Sequence, residues 1–395
     1  MRIRALCMAG VAAGLLLAAG GRAEAQGLTD VMSRLLSNNC AALGPGGTGP
    51  YGPELANICA FPPTGGGASS GGTAGSESRL TTTTAEQRLQ RRTRERRAGA
   101  SADGDRGFGF FASADYEKFD KDNTRFETGF VRDTVGGTFG VDYVLNPSVI
   151  FGGAFTYAHE FGDYDGVGGG FDHDSYGGLL FTSLSPLPGF FVDLTAGYIR
   201  KDYGYERRAS FIAPAPPGGR TVAAFGATEG DTHGDEIRVG VSGGYDFTFG
   251  AVTIGPRLGV NYRDQTVDGF AESGRTGLEL VYDNQNIVSL TTNAGLFGAV
   301  AISTGFGVIV PQASVEYVHE FLDDQRSVGF RLAQDLGGRR FLFQTDTPDR
   351  DYVNLSVGAS VVLRDGLTAF VNYRELLGYR DRSSHAVSLG VRVAF

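Results

Sequence analysis

Apolar and polar residues alternate strictly over the last eleven residues of the chain, from His385 to Phe395. Because successive side chains of a β-strand point to opposite faces, such a strand gathers its large apolar residues on one face. Those residues are Val387, Leu389, Val391, Val393 and Phe395, and the opposite face carries small or polar residues. A strand with one apolar face for lipid and one polar face for a lumen is typical of a transmembrane β-barrel.

The same alternation recurs from residue 107 onward, and it predicts an all-β fold, a 12-stranded antiparallel transmembrane β-barrel over residues 106–395. Short turns follow the even-numbered strands, whereas the other connections are long and polar, especially 207–232 and 322–350. This asymmetry predicts an outer-membrane barrel with both ends facing the periplasm. The predicted strands are 107–118, 131–145, 149–159, 172–185, 190–206, 233–249, 252–267, 286–303, 306–321, 351–364, 367–380 and 385–395.

The polar face of these strands carries charges of both signs. Acidic positions that the alternation directs into the lumen are Asp115, Asp142, Asp193, Asp246 and Glu316. Basic positions on the same side include Arg238, Arg257, Arg374 and Arg392. The strands therefore predict a polar lumen with a wall of mixed charge.

Residues 1–25 have the organisation of a secretory signal peptide. Arg2 and Arg4 precede an apolar core, Leu6 to Ala19, that is too short to span a bilayer as a helix. The sequence Ala23-Glu24-Ala25 is a typical cleavage site, so the mature chain is predicted to begin at Gln26 and to be exported.

Charge and composition narrow the class of protein further. Removal of residues 1–25 leaves 32 basic and 43 acidic residues, a net charge of −11, which argues against general nucleic-acid binding. No later run reaches 18 consecutive apolar residues, so no membrane helix is predicted. Since 41% of the chain is nevertheless hydrophobic and 61 residues are glycine, a closed barrel is the membrane structure that the composition favours.

Residues 26–78 are predicted to be a short, flexible segment. Their Gly- and Pro-rich runs, such as Pro62-Pro63-Thr64-Gly65-Gly66-Gly67, have a linker composition. The segment holds the two cysteines of the mature chain, Cys40 and Cys59. In an oxidising periplasm these are predicted to form one disulfide, and two unpaired thiols are the alternative.

Residues 79–105 are rich in arginine. Leu89 is the one large apolar side chain among these arginines, so a helix here has no apolar face to bury. We predict a helix inside the polar lumen, paired with the acidic wall positions, and a solvated charged linker is the alternative. The arginines are Arg88, Arg91, Arg92, Arg94, Arg96 and Arg97.

Histidines are the natural candidates for catalysis or metal binding: His159, His173, His233, His319 and His385. His159 and His319 occur in similar sequences, Tyr-Ala-His-Glu-Phe and Tyr-Val-His-Glu-Phe. Adjacent His and Glu side chains lie on opposite faces of a strand, which favours polar residues at the membrane interface over a shared site. The sequence also lacks H-E-x-x-H and C-x-x-C motifs. We therefore expect no enzyme activity, no cofactor, no metal and no small-molecule substrate.

A signal peptide, a segment ahead of a luminal helix, and a twelve-stranded barrel ending in Phe together resemble the autotransporter (type V secretion) β-barrel translocator domain family. The resemblance covers roughly residues 79–395 and includes the closing sequence SLGVRVAF and the strands VEYVHEF (315–321) and AFVNYR (369–374). It implies a Gram-negative outer-membrane protein whose barrel carries an N-terminal segment to the cell surface. Residues 26–78 would then be a rudimentary passenger.

The resemblance also implies partners. Family members are assembled by the barrel-assembly machinery, which recognises the closing strand, so the assembly signal here would be Leu389, Val391, Val393 and Phe395. Val393 stands where family members often have an aromatic residue. We expect outer-membrane lipid and that machinery as partners of a monomer. The alternative functions are a passive porin-like channel and a surface adhesion protein acting through its long loops.

Overall fold

The computed structural model of the chain describes residues 107–124, 126–165, 169–213, 222–363 and 366–394. Within these ranges the chain is all β. The strands are β1 (Gly107–Lys121), β2 (Phe130–Asn146), β3 (Val149–Tyr164), β4 (Gly169–Leu184), β5 (Phe190–Ala213), β6 (Val222–Tyr245), β7 (Phe247–Phe249), β8 (Val252–Val267), β9 (Phe270–Ala271), β10 (Ser273–Gly274), β11 (Leu280–Tyr282), β12 (Gln285–Val300), β13 (Ile302–Ser303), β14 (Gly307–Glu320), β15 (Ser327–Leu332), β16 (Phe341–Gln344), β17 (Asp351–Leu363), β18 (Leu367–Leu377) and β19 (Arg382–Ala394).

Twelve of these strands form a closed antiparallel barrel, as the alternation predicts. β1 pairs with β19 from Gly109↔Ala394 to Lys121↔Arg382, and β6 pairs with β8. Closure satisfies the backbone N–H and C=O groups that an open sheet edge would expose to lipid. The order around the ring is β1, β2, β3, β4, β5, β6, β8, β12, β14, β17, β18 and β19.

In the described ranges no helix is long and apolar enough to span a bilayer. The predicted luminal helix, residues 79–105, lies outside the described residues, as do Cys40, Cys59 and Phe395.

The two faces of the barrel wall differ as predicted. On β8, the outward Leu258 and Val260 are 65% and 45% exposed, whereas the inward Arg257 and Arg263 are 3% and 5% exposed. Apolar side chains thus face the lipid and charged side chains face the lumen. Short turns such as Pro147-Ser148 join the strands at the periplasmic end.

The predicted long loop 207–232 is wrong. β5 continues to Ala213 and β6 begins at Val222, so the two strands extend together beyond the membrane. Above the bilayer both faces of a strand meet water or other polar groups. The apolar–polar alternation therefore disappears although the strand continues.

The other long connections, one between β8 and β12 and one between β14 and β17, contain a second sheet. Its four short strands are ordered β16-β15-β11-β9. Strands of two to six residues leave too short an alternation to be recognised in the sequence.

Candidate functional site: the lumen wall and the extracellular rim

The structure places the predicted acidic residues on the inward side of the wall. Four are buried, namely Asp115, Asp142, Asp193 and Asp246, and Glu316 lies between the exposed, outward Val315 and Tyr317. Within the wall, Asp246 pairs with Arg257, Asp142 lies 3.3 Å from Arg392, and the Ser113 hydroxyl donates to Asp115. The predicted pairing with the arginines of residues 79–105 stays a prediction, because those arginines lie outside the described residues.

The extracellular half of the lumen contains a charged network. Arg132, fully buried on β2, lies 3.5 Å from Glu117 on β1 and 3.1 Å from Glu160 on β3. Lys201 on β5 lies 2.8 Å from Glu236 on β6. Removing one partner from such a buried pair costs about 3–5 kcal/mol, because the other charge is left uncompensated. These pairs therefore fix neighbouring strands to one another across the lumen wall.

At the extracellular rim, a buried cluster joins the β1–β2 loop to the segment that follows β16. The Lys121 ammonium lies 3.2 Å from the Glu127 carboxylate and 2.8 Å from that of Asp346. Burial raises the pKa of Glu127 to about 7 despite the nearby lysine. Burial opposes ionisation of Asp346 too, but the charge of Lys121 and hydrogen bonds hold its pKa below the usual value. Glu127 thus keeps its proton up to about pH 7, whereas Asp346 carries the negative charge that faces Lys121.

The outward face of the barrel carries a repeated feature that we call the tyrosine ring. Each of the six strands that run toward the extracellular side has an outward tyrosine, followed two residues later by a charged residue or histidine. In every case the tyrosine hydroxyl donates to a carboxylate that lies nearer the extracellular end. The pairs are Tyr116–Asp133 (2.5 Å), Tyr157–Asp174 (2.6 Å), Tyr198–Asp235 (2.5 Å), Tyr262–Asp264 (3.3 Å), Tyr317–Asp351 and Tyr373–Glu375 (3.3 Å).

Tyrosines are favoured where an apolar body meets lipid and a polar tip meets water. The ring therefore marks the boundary between the lipid-facing surface and the extracellular surface. The lumen-facing positions do not predict this ring. A tyrosine followed two residues later by a charged residue or histidine does recur in alternate strands, and this repeat is the sequence signal for it.

The histidines do not assemble into one site. His159 has carboxylates at both ring nitrogens, since Nδ1 lies 3.1 Å from Asp174 and Nε2 lies 3.6 Å from Asp172. One ligand atom from each of His159, Asp172 and Asp174 lies within 4.8 Å of the other two, so this part of the described rim could hold a metal ion. His319 contacts Asp351 at a different place on the tyrosine ring. The inward His173 packs against Phe171.

The fold and this distribution of side chains define a bacterial outer-membrane β-barrel. An autotransporter beta-domain family model matches residues 110–374, and the chain belongs to that family. In members of the family the β-domain translocates a passenger domain. This barrel is accordingly an outer-membrane protein, and barrels of this kind are assembled in general by the barrel-assembly machinery.

Two individual proteins are similar in sequence to part of the chain. "Esterase EstA" from Pseudomonas aeruginosa and from Pseudomonas putida are each 29% identical to it over 207 residues, which is 51% of this chain and 29% of each esterase. The chain thus matches less than a third of those relatives' length.

Solved structures agree on the fold. The translocator domain of autotransporter NalP from Neisseria meningitidis has a TM-score of 0.57 at 16% identity, covering 80% of this chain and 98% of that domain. The β-domain of the Bordetella autotransporter BrkA has a TM-score of 0.50 at 17% identity, covering 73% of this chain and 100% of that domain. At this identity the likeness shows the fold alone.

Proposed function

We propose that the barrel displays its own N-terminal segment, residues 26–78, at the cell surface, while residues 79–105 stay in the lumen as a helix. The supporting observation is the position of β1. Gly107 pairs with Val144, next to the Pro147-Ser148 turn, so the chain enters the wall at the periplasmic end. A segment that precedes β1 reaches the outside by passing through the lumen.

The length of residues 79–105 and the acidic side chains of the lumen support this path. A helix of residues 79–105 would be about 40 Å long at 1.5 Å per residue, which exceeds the roughly 30 Å hydrocarbon core of a bilayer. The inward carboxylates of Asp115 and Asp193 are of the sign that an arginine-rich helix requires.

An epitope tag tests the display. The tag is inserted between Gly72 and Thr73, and intact cells are probed with antibody and with protease. We expect the tag to be accessible. The control is the same tag between Leu187 and Pro188, in the periplasmic β4–β5 turn, which should react only after the outer membrane is permeabilised. A tag at residue 72 that also needs permeabilisation contradicts the proposal.

We propose further that the barrel works without catalysis. The outward His159 and His319 contact carboxylates, and His385 contacts the Tyr373 hydroxyl. A formal G-x-S-x-G sequence occurs at 240–244, but it lies inside β6, whereas an esterase nucleophile requires a sharp strand-to-helix turn. The motif therefore lacks the turn that would present Ser242 as a nucleophile.

Hydrolysis of a p-nitrophenyl ester by the purified protein provides the test, because two relatives are named esterases. We expect the rate to equal that of buffer containing detergent. Hydrolysis that disappears in a Ser242→Ala variant would overturn the proposal.

A further inference from the structure

We propose that the four-stranded loop sheet β16-β15-β11-β9 is a lid that closes the extracellular mouth of the barrel and is held shut by two buried anchors. The inference is argued from the described residues of the barrel alone, and a displayed segment 26–78 would leave the lumen between the lid and the barrel wall.

The positions of its contacts show that the sheet spans the mouth. On one side, Ser273 of β10, next to β9, pairs with Glu229 on β6. On the other side, Asp346, two residues after β16, contacts Lys121 at the end of β1, next to β19. In the ring of twelve barrel strands, β6 and β1 are five strands apart in one direction and seven in the other. The sheet and its flanking segments therefore reach between nearly opposite sides of the barrel.

The lid has a buried apolar side. Val328, Phe330 and Leu332 alternate along β15 and are 1–3% exposed, whereas Arg331 between them is exposed. Leu280 and Tyr282 on β11 are also buried. One face of this sheet is thus covered by protein and the other faces water, as in an element packed over a core.

Aromatic residues at the extracellular end of the barrel wall supply part of that cover. Inward rings on β1 to β5 are almost fully buried: Phe119, Phe130, Tyr164, Phe171, Tyr203 and Tyr205. Tyr205 packs edge-on against Phe270 of β9 with ring centroids 5.4 Å apart, and Phe270 packs against Tyr282 at 4.8 Å. A layer of inward aromatics is unfavourable in a water-filled mouth. Covering that layer favours the closed lid.

The first anchor is the ion pair between Arg207 on β5 and Glu272, which follows β9. The Arg207 Nε lies 2.9 Å from one carboxylate oxygen of Glu272 and Nη2 lies 2.5 Å from the other. The hydroxyls of Tyr205 and Tyr282 and the backbone N–H of Leu280 also donate to this carboxylate. The carboxylate is therefore satisfied by wall and lid together, and opening the lid leaves it short of partners.

The second anchor is the rim cluster at β1 and the β1–β2 loop, four strands away from β5 around the barrel. Asp346 accepts from the Lys121 ammonium at 2.8 Å and from the Thr124 hydroxyl at 2.6 Å. Thr124 also receives backbone N–H bonds from Phe126 and Glu127, which order the β1–β2 loop. The segment after β16 is thus tied to the wall and to a neighbouring loop at once.

Chemical access to the lumen tests the lid. The reporter is Ser388→Cys, an inward position near the middle of β19, in a full-length chain carrying Cys40→Ser and Cys59→Ser. Intact cells are treated with a maleimide too large to pass general porins, and modification of residue 388 is followed by peptide mass spectrometry. Such a reagent reaches the lumen only from the extracellular side, so the rate reports the open population.

Arg207→Gln should increase this rate at least about tenfold, because it removes one partner of a buried pair. The matched control is Arg340→Gln. Arg340 pairs with Asp283 on the exposed face of the lid, 2.5 Å apart, and anchors nothing to the wall. Its rate should remain that of the parent. Equal rates in the two variants, both with heat-modifiable barrels, overturn the proposal.

An engineered disulfide between the lid segment and the wall tests the lid even if Arg207→Gln fails to assemble. Glu229 and Ser273 are paired antiparallel, and such a pair has a Cα separation compatible with a disulfide. In the Glu229→Cys/Ser273→Cys variant, oxidation should slow modification of residue 388 and reduction should restore it. Identical rates in the oxidised and reduced forms overturn the lid.

Discussion

Arg392, on the closing strand β19, reaches across β1 to Asp142 on β2, where its Nε lies 3.3 Å from the carboxylate. Gly109 makes this reach possible. It is the β1 residue directly opposite Asp142, and a Cβ there would collide with both the guanidinium and the carboxylate. The ion pair therefore ties together three strands at the seam where the two ends of the barrel sequence meet.

Substitution of Gly109 tests this seam. Gly109→Val should displace the ion pair and destabilise the folded barrel by about 2 kcal/mol, as expected for a partly buried charged hydrogen bond. The measurement is the urea midpoint of the heat-modifiable form. The control is Gly298→Val on β12, where a Cβ meets no atom within 4 Å and the midpoint should stay unchanged. Equal midpoints for both variants would show that the seam pair contributes nothing.

The sequence predicts the barrel well because the bilayer imposes a simple rule on it. Lipid on one side and a polar lumen on the other force the alternation seen on β8, so all twelve barrel strands were recognisable. The rule ends at the membrane surface. The extensions of β5 and β6 and the lid sheet are polar or short, and their pairing depends on partners far away in the chain, such as Glu272 for Arg207.

The residues of the candidate site likewise divide into those that the sequence predicts and those that it does not. Alternation predicts that Asp142 and Arg392 face inward, but not that they meet, since their contact depends on the register across β1. The tyrosine ring was predictable from sequence, because its tyrosines occur at one level of alternate strands. The rim cluster around Glu127 was not, because it joins loops without any period.

The terminal aromatic is expected to direct assembly. Deletion of Phe395 should lower the amount of heat-modifiable barrel in the outer membrane, because the last lipid-facing row of β19 becomes incomplete beside β1. Phe395 lies outside the described residues, so the prediction rests on the sequence pattern. Replacement by Tyr, which keeps an interfacial aromatic, is the control and should assemble normally. Normal yield and rate for the deletion would disprove the assembly signal.

Cys40 and Cys59 are expected to form one intramolecular disulfide. They too lie outside the described residues, and the prediction follows from export into an oxidising compartment. Closing this loop should stabilise the segment by about 3 kcal/mol. Intact-mass measurement of envelope protein under alkylating conditions, with and without reductant, counts the free thiols. Alkylation at both cysteines without reductant contradicts the pairing.

The rim cluster should make the β1–β2 loop sensitive to pH. Because burial raises the pKa of Glu127 from 4.5 to about 7, the folded loop holds the proton more tightly than the open loop. Its contribution is fully present below pH 4.5 and is lost as pH rises through 7, by at most about 3 kcal/mol. The groups facing Glu127 are Lys121, Asp346, Arg326 and Arg382.

Hydrogen exchange of residues 122–129 measures this dependence. After correction for the intrinsic pH effect, the wild-type loop should open more often at pH 8 than at pH 5. Glu127→Gln, which is neutral at both values, should show equal opening. An equal pH response in both proteins would assign the titration to another group.

The arginines of residues 79–105 are expected to block the pore. Arg88, Arg91, Arg92, Arg94, Arg96 and Arg97 have no apolar face to hold them, so pairing with wall carboxylates such as Asp115 and Asp193 must position them. An exposed pair contributes at most about 1 kcal/mol, but several around a confined helix act together. Replacing all six by serine should therefore raise single-channel conductance in planar bilayers. The native protein should respond to high salt in the same direction, since screening weakens the same pairs.

The lid adds a second barrier, so this measurement is best made on the Arg207→Gln background. The matched control replaces six serines and threonines of residues 64–84 by alanine, which leaves the arginines in place and should leave the conductance low. A native barrel that already conducts fully, with no response to loss of the six arginines, would instead favour an open porin-like channel. That outcome would leave the twelve-stranded fold intact and remove the plug from its lumen.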